Sequence, residues 1–191
     1  MLEQRVLLNP CEWRTFESLV EQHPNAVRFT YSEGMLEILS PSPEHEELSR
    51  AVETIVYVTA EELEIDVRPL GSTTQRSAEL QKGFEPDSSY YVGNVDRDPG
   101  CDPPDLVVEV EISRSAIDKL PIFASLGIDE VWRCTTAGVQ ILRLQGDAYH
   151  EATRSGLFPL SAKGLTDRLS TRKRSRTQWV RELRSWPRSL W

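Results

Sequence analysis

Apolar residues along this chain recur with two periods, about 3.6 in some stretches and about 2 in others, and the switches between them outline its elements. Trp13, Phe16, Leu19 and Val20 make a helical apolar face behind Asn9-Pro10, a cap and first-turn proline, and His23-Pro24-Asn25 stops that helix. Segments 27–31 and 35–39 flank Ser32-Glu33-Gly34 and predict a hairpin. Ser40-Pro41-Ser42-Pro43 breaks the second strand. A long helix follows over 44–63, with Leu48, Val52, Ile55, Val56 and Val58 toward the core. Segments 67–70 and 88–92 are strand-like, and a polar loop over 93–104 leads to the next strand. A connection that long often lies beside an active site. Ile122, Phe123 and Leu126 mark a short helix stopped by Gly127, and 130–134 is a strand. Segments 139–144 and 148–152 flank Gln145-Gly146-Asp147 as a second hairpin, and two helical segments end the chain. This order predicts a mixed sheet with helices packed on it, an α/β or α+β domain.

The strand at 103–113, Pro-Pro-Asp-Leu-Val-Val-Glu-Val-Glu-Ile-Ser, is the most informative stretch. Side chains alternate between the faces of a strand. Leu106, Val108, Val110 and Ile112 therefore share an apolar face, while Asp105, Glu109 and Glu111 share the other with Val107. Carboxylates roughly 7 Å apart repel by about 0.6 to 2.4 kcal/mol for an effective dielectric between about 80 and 20. Such a face is either open and wet, as in an ordinary edge strand, or holds a cation. Asp87 opens the preceding strand after Pro86, and consecutive strands commonly lie side by side, so Asp87 and Glu109 can converge. Mg²⁺ or Mn²⁺ needs little more than two carboxylates, a backbone carbonyl and several waters. Such an ion polarises a phosphoryl oxygen and acidifies bound water, and a nearby lysine stabilises developing charge. Lys119 is the lysine that follows the strand closely; Pro121 puts it at or just before a helix start, where its charge opposes the helix dipole. An ordinary surface lysine is the alternative.

Composition narrows the class further. The 191 residues suit one domain, or one domain plus a tail, and no apolar run is long enough to span a membrane. The N-terminus lacks the basic and apolar regions of a signal peptide. Cys11, Cys101 and Cys134 are too scattered for a disulfide framework or structural zinc and suit a reducing cytoplasm, while His23, His45 and His150 suggest no histidine metal cluster. Of the net charge of −8, residues 168–191 contribute +7, so 1–167 carry −15. The domain division expected is therefore a body over 1–167 and a basic helical tail over 168–191.

Glu85-Pro86-Asp87, then Pro-Asp-Leu-Val-Val-Glu-Val over 104–110, then Asp-Lys-Leu-Pro-Ile-Phe-Ala-Ser-Leu-Gly-Ile-Asp-Glu-Val-Trp over 118–132, resemble the Uma-two family of restriction-endonuclease-like proteins, within the PD-(D/E)xK nuclease superfamily. The likeness extends to 31–46 and to Gly71-Ser72-Thr73-Thr74, and covers roughly residues 5–165. It implies a restriction-endonuclease-like central mixed sheet flanked by helices and Mg²⁺- or Mn²⁺-dependent hydrolysis of phosphodiester bonds, in DNA sooner than RNA. By the same resemblance Asp87 and Glu109 bind metal, Lys119 from the following helix replaces the lysine missing at Glu111, and Glu47 is an accessory acid. Glu46 or Glu44 could fill that last role. Asp105 and Glu111 are second-rank members, and Asp105 is as well explained as a cap behind Pro103-Pro104.

Two further features stay open. Ser72-Thr73-Thr74 could contact a phosphate, though hydroxyls after glycine are common turn chemistry. In the tail, Trp179, Leu183 and Trp186 fall on one helical face with the arginines mostly elsewhere. That pattern fits a helix docked on the body, a nucleic-acid contact, or the interface of a homodimer. The rival to an enzyme is a nuclease-derived binding or oligomerisation module without catalysis, favoured by Glu111 at the usual lysine position and by the acidic body.

Overall fold

The computed structural model describes residues 3–23, 27–99, 101–172 and 175–188. In chain order these form β1 (Gln4–Leu8), α1 (Trp13–Gln22), β2 (Arg28–Ser32), β3 (Met35–Ser40), α2 (Pro43–Leu63), β4 (Val67–Pro69), β5 (Gln75–Ser77), β6 (Lys82–Phe84), β7 (Ser88–Val92) and β8 (Leu106–Glu111). They continue as α3 (Leu120–Ser125), β9 (Glu130–Thr135), β10 (Gly138–Gln145), β11 (Ala148–Ala152), α4 (Ala162–Ser170) and α5 (Arg176–Arg188). The mixed α/β class stands, but the strands make two sheets where the pattern predicted one. A six-stranded sheet runs β11-β10-β9-β8-β7-β4, and a five-stranded one β1-β3-β2-β6-β5.

The first sheet is antiparallel except where β8 lies parallel to β9, a pairing that needs a crossover, supplied here by α3. Leu106, Val108 and Val110 join Val52, Ile55, Trp132, Trp179 and other residues in the main core, under α2, α4 and α5. On the opposite face Val107 meets Phe84, Phe123, Ile117 and Ile122. At Glu109 the carboxylate face of β8 is thus neither open nor wet, because α3 and the second sheet cover it, while Asp105 and Glu111 toward its ends stay partly exposed. Val107, set among the acids, is what that cover packs against.

Helix α2 starts as its sequence dictates. Ser42 accepts the His45 backbone N–H at 3.2 Å, Pro43 occupies the first turn, and Glu44 and Glu46 complement the dipole there. Helix α1 begins three residues beyond Pro10, at Trp13; Pro24 and Asn25, expected to end it, lie outside the described residues. Strand β1 escapes the pattern because it is an edge strand with Val6 and Leu7 exposed, held by its pairing to β3. Strands β5 and β6 are three residues each, too short to show a period.

The C-terminal helix docks on its own chain. Trp179, Leu183 and Trp186 are buried in the main core, and α4 straddles residue 167. A homodimer would therefore have to use another surface. The basic charge meets the acidic body: Arg184 contacts Glu61 and Glu62, Arg188 contacts Glu62 at 2.6 Å, and Arg172 contacts Glu47. Lys173 and Arg174 lie outside the described residues. Because Trp179 is 1% exposed, Trp179→Ala is expected to destabilise the fold by about 3–5 kcal/mol in urea unfolding, against less than about 0.5 kcal/mol for exposed Arg181→Ala. Equal, small effects would contradict the docking of α5.

Candidate active site

Pairing of β7 with β8 sets the site. Ser88 lies opposite Val108, so Asp87, one residue before the strand, falls opposite Glu109 and on its face. Asp87 Oδ2 accepts the Val110 backbone N–H at 2.8 Å, which ties the aspartate to the strand carrying Glu109. Lys119 arrives from the other direction, as the residue preceding α3, with Pro121 in the first turn and its own carbonyl accepting from Ile122 and Phe123. Its Nζ donates to Glu109 Oε2 at 2.5 Å, and the two residues are 8% and 3% exposed. That burial excludes a surface lysine. The second Glu109 oxygen, Oε1, is buried without a hydrogen-bond partner.

The electrostatics follow from burial and pairing. Burial pushes the Glu109 carboxyl up to about 7, against the pull of Lys119, and the Asp87 charge adds to the rise. Burial alone would lower Lys119, but Glu109 and Asp87 hold it above the ordinary lysine value. Burial would raise Asp87, yet its hydrogen bond to His45, the His45 and Lys119 charges and the Val110 N–H keep it below the usual aspartate range.

A surrounding network fixes these groups, and most of it escaped the sequence. Fully buried His45 directs Nε2 at Asp87 Oδ1, 2.8 Å away, and Nδ1 at Glu3 Oε2, 3.3 Å away. Burial works against its charge, but a carboxylate facing each ring nitrogen raises its pKa, which favours the doubly protonated ring. Arg5 on β1 bonds Glu3, Glu37 and Ser113, while Glu37 accepts from Ser115 and the Ala116 N–H. The second sheet thereby grips the segment that delivers Lys119. One signal for His45 was present: it continues the buried α2 stripe of Leu48, Ser49, Val52 and Ile55.

Asp87 also lines a cleft of about 730 Å³, whose lining includes neither Glu109 nor Lys119, both of them buried. Ser72, Thr73 and Thr74 border the cleft too, with Thr73 bonded to the Leu70 carbonyl and Thr74 to Glu85. The remaining expected acids lie elsewhere. Glu47 is exposed and pairs with Arg172 at 3.2 Å, while Glu46, one position earlier, faces the cleft. Asp105 accepts from the Val92 N–H and from Arg97, at the far end of the β7–β8 pair. Glu111 pairs with Arg133 on β9 at 3.5 Å. The 93–104 loop joins the ends of β7 and β8 remote from Asp87 and Glu109, where Arg97 stacks on Tyr91 and bonds Asp105, and none of its described residues lines the cleft, though Pro99, Cys101 and Pro103 border a neighbouring pocket with Thr73 and Thr74.

A mixed sheet with helices packed on it, carrying an aspartate, a glutamate and a lysine on neighbouring elements, is a restriction-endonuclease-like α+β fold. The family model Uma2, described as "Putative restriction endonuclease", matches residues 13–166, and the chain belongs to that family. No curated protein matches the chain. Among the described residues no helix is long and apolar enough to cross a membrane.

Among the described residues no group of three or more His, Cys, Asp or Glu side chains stands in metal-holding geometry. A hard cation that keeps several waters needs only one or two carboxylates. Asp87 and Glu109 on adjacent strands, with Glu109 Oε1 buried and unpartnered, fit that requirement. The raised carboxyl has a consequence for stability. Glu109 titrates at about 7 in the folded chain and near 4.3 when unfolded, so the stability it contributes is full below about 4.3 and lost as pH rises through about 7. Glu109→Gln cannot ionise. Its stability relative to the parent is therefore expected to rise between pH 5 and 8 in urea unfolding, and a pH-independent difference would contradict the assignment.

Proposed function

We propose that this protein is a Mg²⁺- or Mn²⁺-dependent nuclease that hydrolyses phosphodiester bonds in DNA. The observation that carries the proposal is the buried Glu109 with one oxygen on Lys119 and the other without a partner, across from Asp87. A divalent ion bound by Asp87 and Glu109 supplies Lewis-acid activation of the phosphate and an acidified water. The chain's own groups do the rest. His45 and the Val110 N–H hold the Asp87 carboxylate in a fixed orientation and keep it ionised. Lys119 neutralises Glu109 in the resting chain; once relieved of that role it donates to a phosphate oxygen or to the attacking water and stabilises the developing charge. Glu46, which borders the cleft, replaces Glu47 as the accessory acid. Arg5 and Glu37 keep the segment before α3 in place, so that Lys119 is preorganised.

A second reading has its own observation. Both expected metal ligands already have side-chain partners, Lys119 on Glu109 and His45 on Asp87, as in a nuclease-derived module whose site has become purely structural. Replacing Lys119 separates the two. If the site is catalytic, Lys119→Gln cleaves DNA about 10²–10³-fold more slowly, as for loss of a donor to developing charge. The same variant still binds Mn²⁺ at pH 8, because Asp87 and Glu109 remain. A structural site predicts no cleavage by the parent under any divalent ion and no calorimetric Mn²⁺ binding by either protein.

Proton linkage provides a further check. A carboxyl at about 7 must lose its proton to take a metal, so Mn²⁺ affinity is expected to increase from pH 6 to 8 and level off above, with proton release at the lower pH. Affinity that falls over this range would contradict Glu109 as a ligand.

A further inference from the structure

Glu46, Glu53, Glu85 and Asp87 line the cleft, with Arg28 and Arg50 as its cations among the described residues. The two arginines are in different situations. Arg50 is 68% exposed and bonded to Glu53 at 3.0 Å. Arg28 projects from β2 with a side chain only 16% exposed, and its Nε is buried without a hydrogen-bond partner. Asp87 Oδ1 lies 3.9 Å from that Nε, an ion-pair separation but beyond hydrogen bonding, and among the described residues the guanidinium makes one hydrogen bond, a long one of 3.4 Å from Nη1 to the Val27 carbonyl. A guanidinium carries five N–H donors, and burying such donors without acceptors is costly unless an acceptor arrives.

The acceptor has a definite chemistry. The donors form a planar fork that matches two oxygens of a phosphate or carboxylate. A nearby carboxylate, Glu85, is already taken up by the Phe29 N–H and Thr74 hydroxyl. The cleft volume, about 730 Å³, lies in the usual range for ligand sites. We propose that Arg28 is the phosphate-binding residue of the cleft, taking two non-bridging oxygens of a nucleic-acid phosphate beside Asp87. This rests on the nuclease reading and names how that site holds its substrate. Arg28 binds and orients the strand, and Asp87 next to it sets the distance between the held phosphate and buried Glu109.

Binding of a fluorescein-labelled single-stranded oligonucleotide, followed by anisotropy in Ca²⁺ over a series of salt concentrations, tests this. Each phosphate contact on a single strand contributes about 0.7 to the slope of log K against log salt. Arg28→Gln is expected to weaken binding about tenfold or more and to reduce the slope by about 0.7. Arg28→Lys keeps the charge and loses the fork, so it keeps the slope and binds several-fold less tightly. A structural role would not move the salt slope. Unchanged affinity and slope in Arg28→Gln would overturn the proposal, as would absence of saturable binding by the parent. If the first variant does not fold, unchanged affinity in Arg28→Lys overturns it equally. A parent that binds through Arg28 yet cleaves nothing in Mg²⁺ or Mn²⁺ overturns the nuclease reading alone.

Discussion

The antiparallel pairing of β7 with β8 is the constraint on which the site rests. Ser88 against Val108 puts Asp87 across from Glu109, and the bond from the Val110 N–H to Asp87 fastens that register with the aspartate side chain itself. A slip of one residue would turn every side chain of β8 to the opposite face, burying Glu109 in the main core and bringing Val108 to the site. Register is protected against such a slip from both sides. Leu106, Val108 and Val110 are locked under α2 and α5, and Val107 under Phe84 and Phe123.

Glu109 buried by this register needs a partner, and the crossover to β9 delivers one in Lys119. Buried ion pairs are seldom net stabilising, because desolvation of both charges offsets their attraction, while removing one partner costs about 3–5 kcal/mol. Here the pair lies next to a carboxylate oxygen without a hydrogen bond, a combination that stability alone does not explain. The proposed function would account for it: a cation site neutralised internally until metal and substrate arrive would stay folded in their absence. The His45 bridge from Glu3 to Asp87 and the Arg5–Glu37 grip on 113–116 add to this, tying the second sheet to Asp87 and to the segment that delivers Lys119.

Local periodicity made β8, α2, both hairpins and the C-terminal helix legible, because each carries its burial pattern in one continuous stretch. The two-residue alternation placed Leu106, Val108 and Val110 inward and gathered Asp105, Glu109 and Glu111 on the other face, and the succession of the two strands brought in Asp87. What was not legible depends on distant packing. The acidic face of β8 reads as either wet or cation-binding until α3 and β6 are known to cover it, with Val107 as the local hint. Lys119 could be placed at a helix start from Pro121, but its depth depends on how the crossover packs. His45 reads as an isolated histidine because its partners, Glu3 and Asp87, lie 42 positions away on either side. Glu47 and Glu46 differ by one position on α2, and only the helix's orientation distinguishes the exposed residue from the one facing the cleft.

The central claim is that Asp87 and Glu109 form a divalent-metal site held closed by Lys119. Crystals soaked in Mn²⁺ and measured at the manganese absorption edge test it most directly, since the anomalous signal locates the ion without a substrate or an activity. The account predicts one strong peak bonded to a carboxylate oxygen of each of Asp87 and Glu109, with the Lys119 ammonium moved off Glu109. A map with no peak there at saturating Mn²⁺, and the Lys119–Glu109 pair intact, would contradict it.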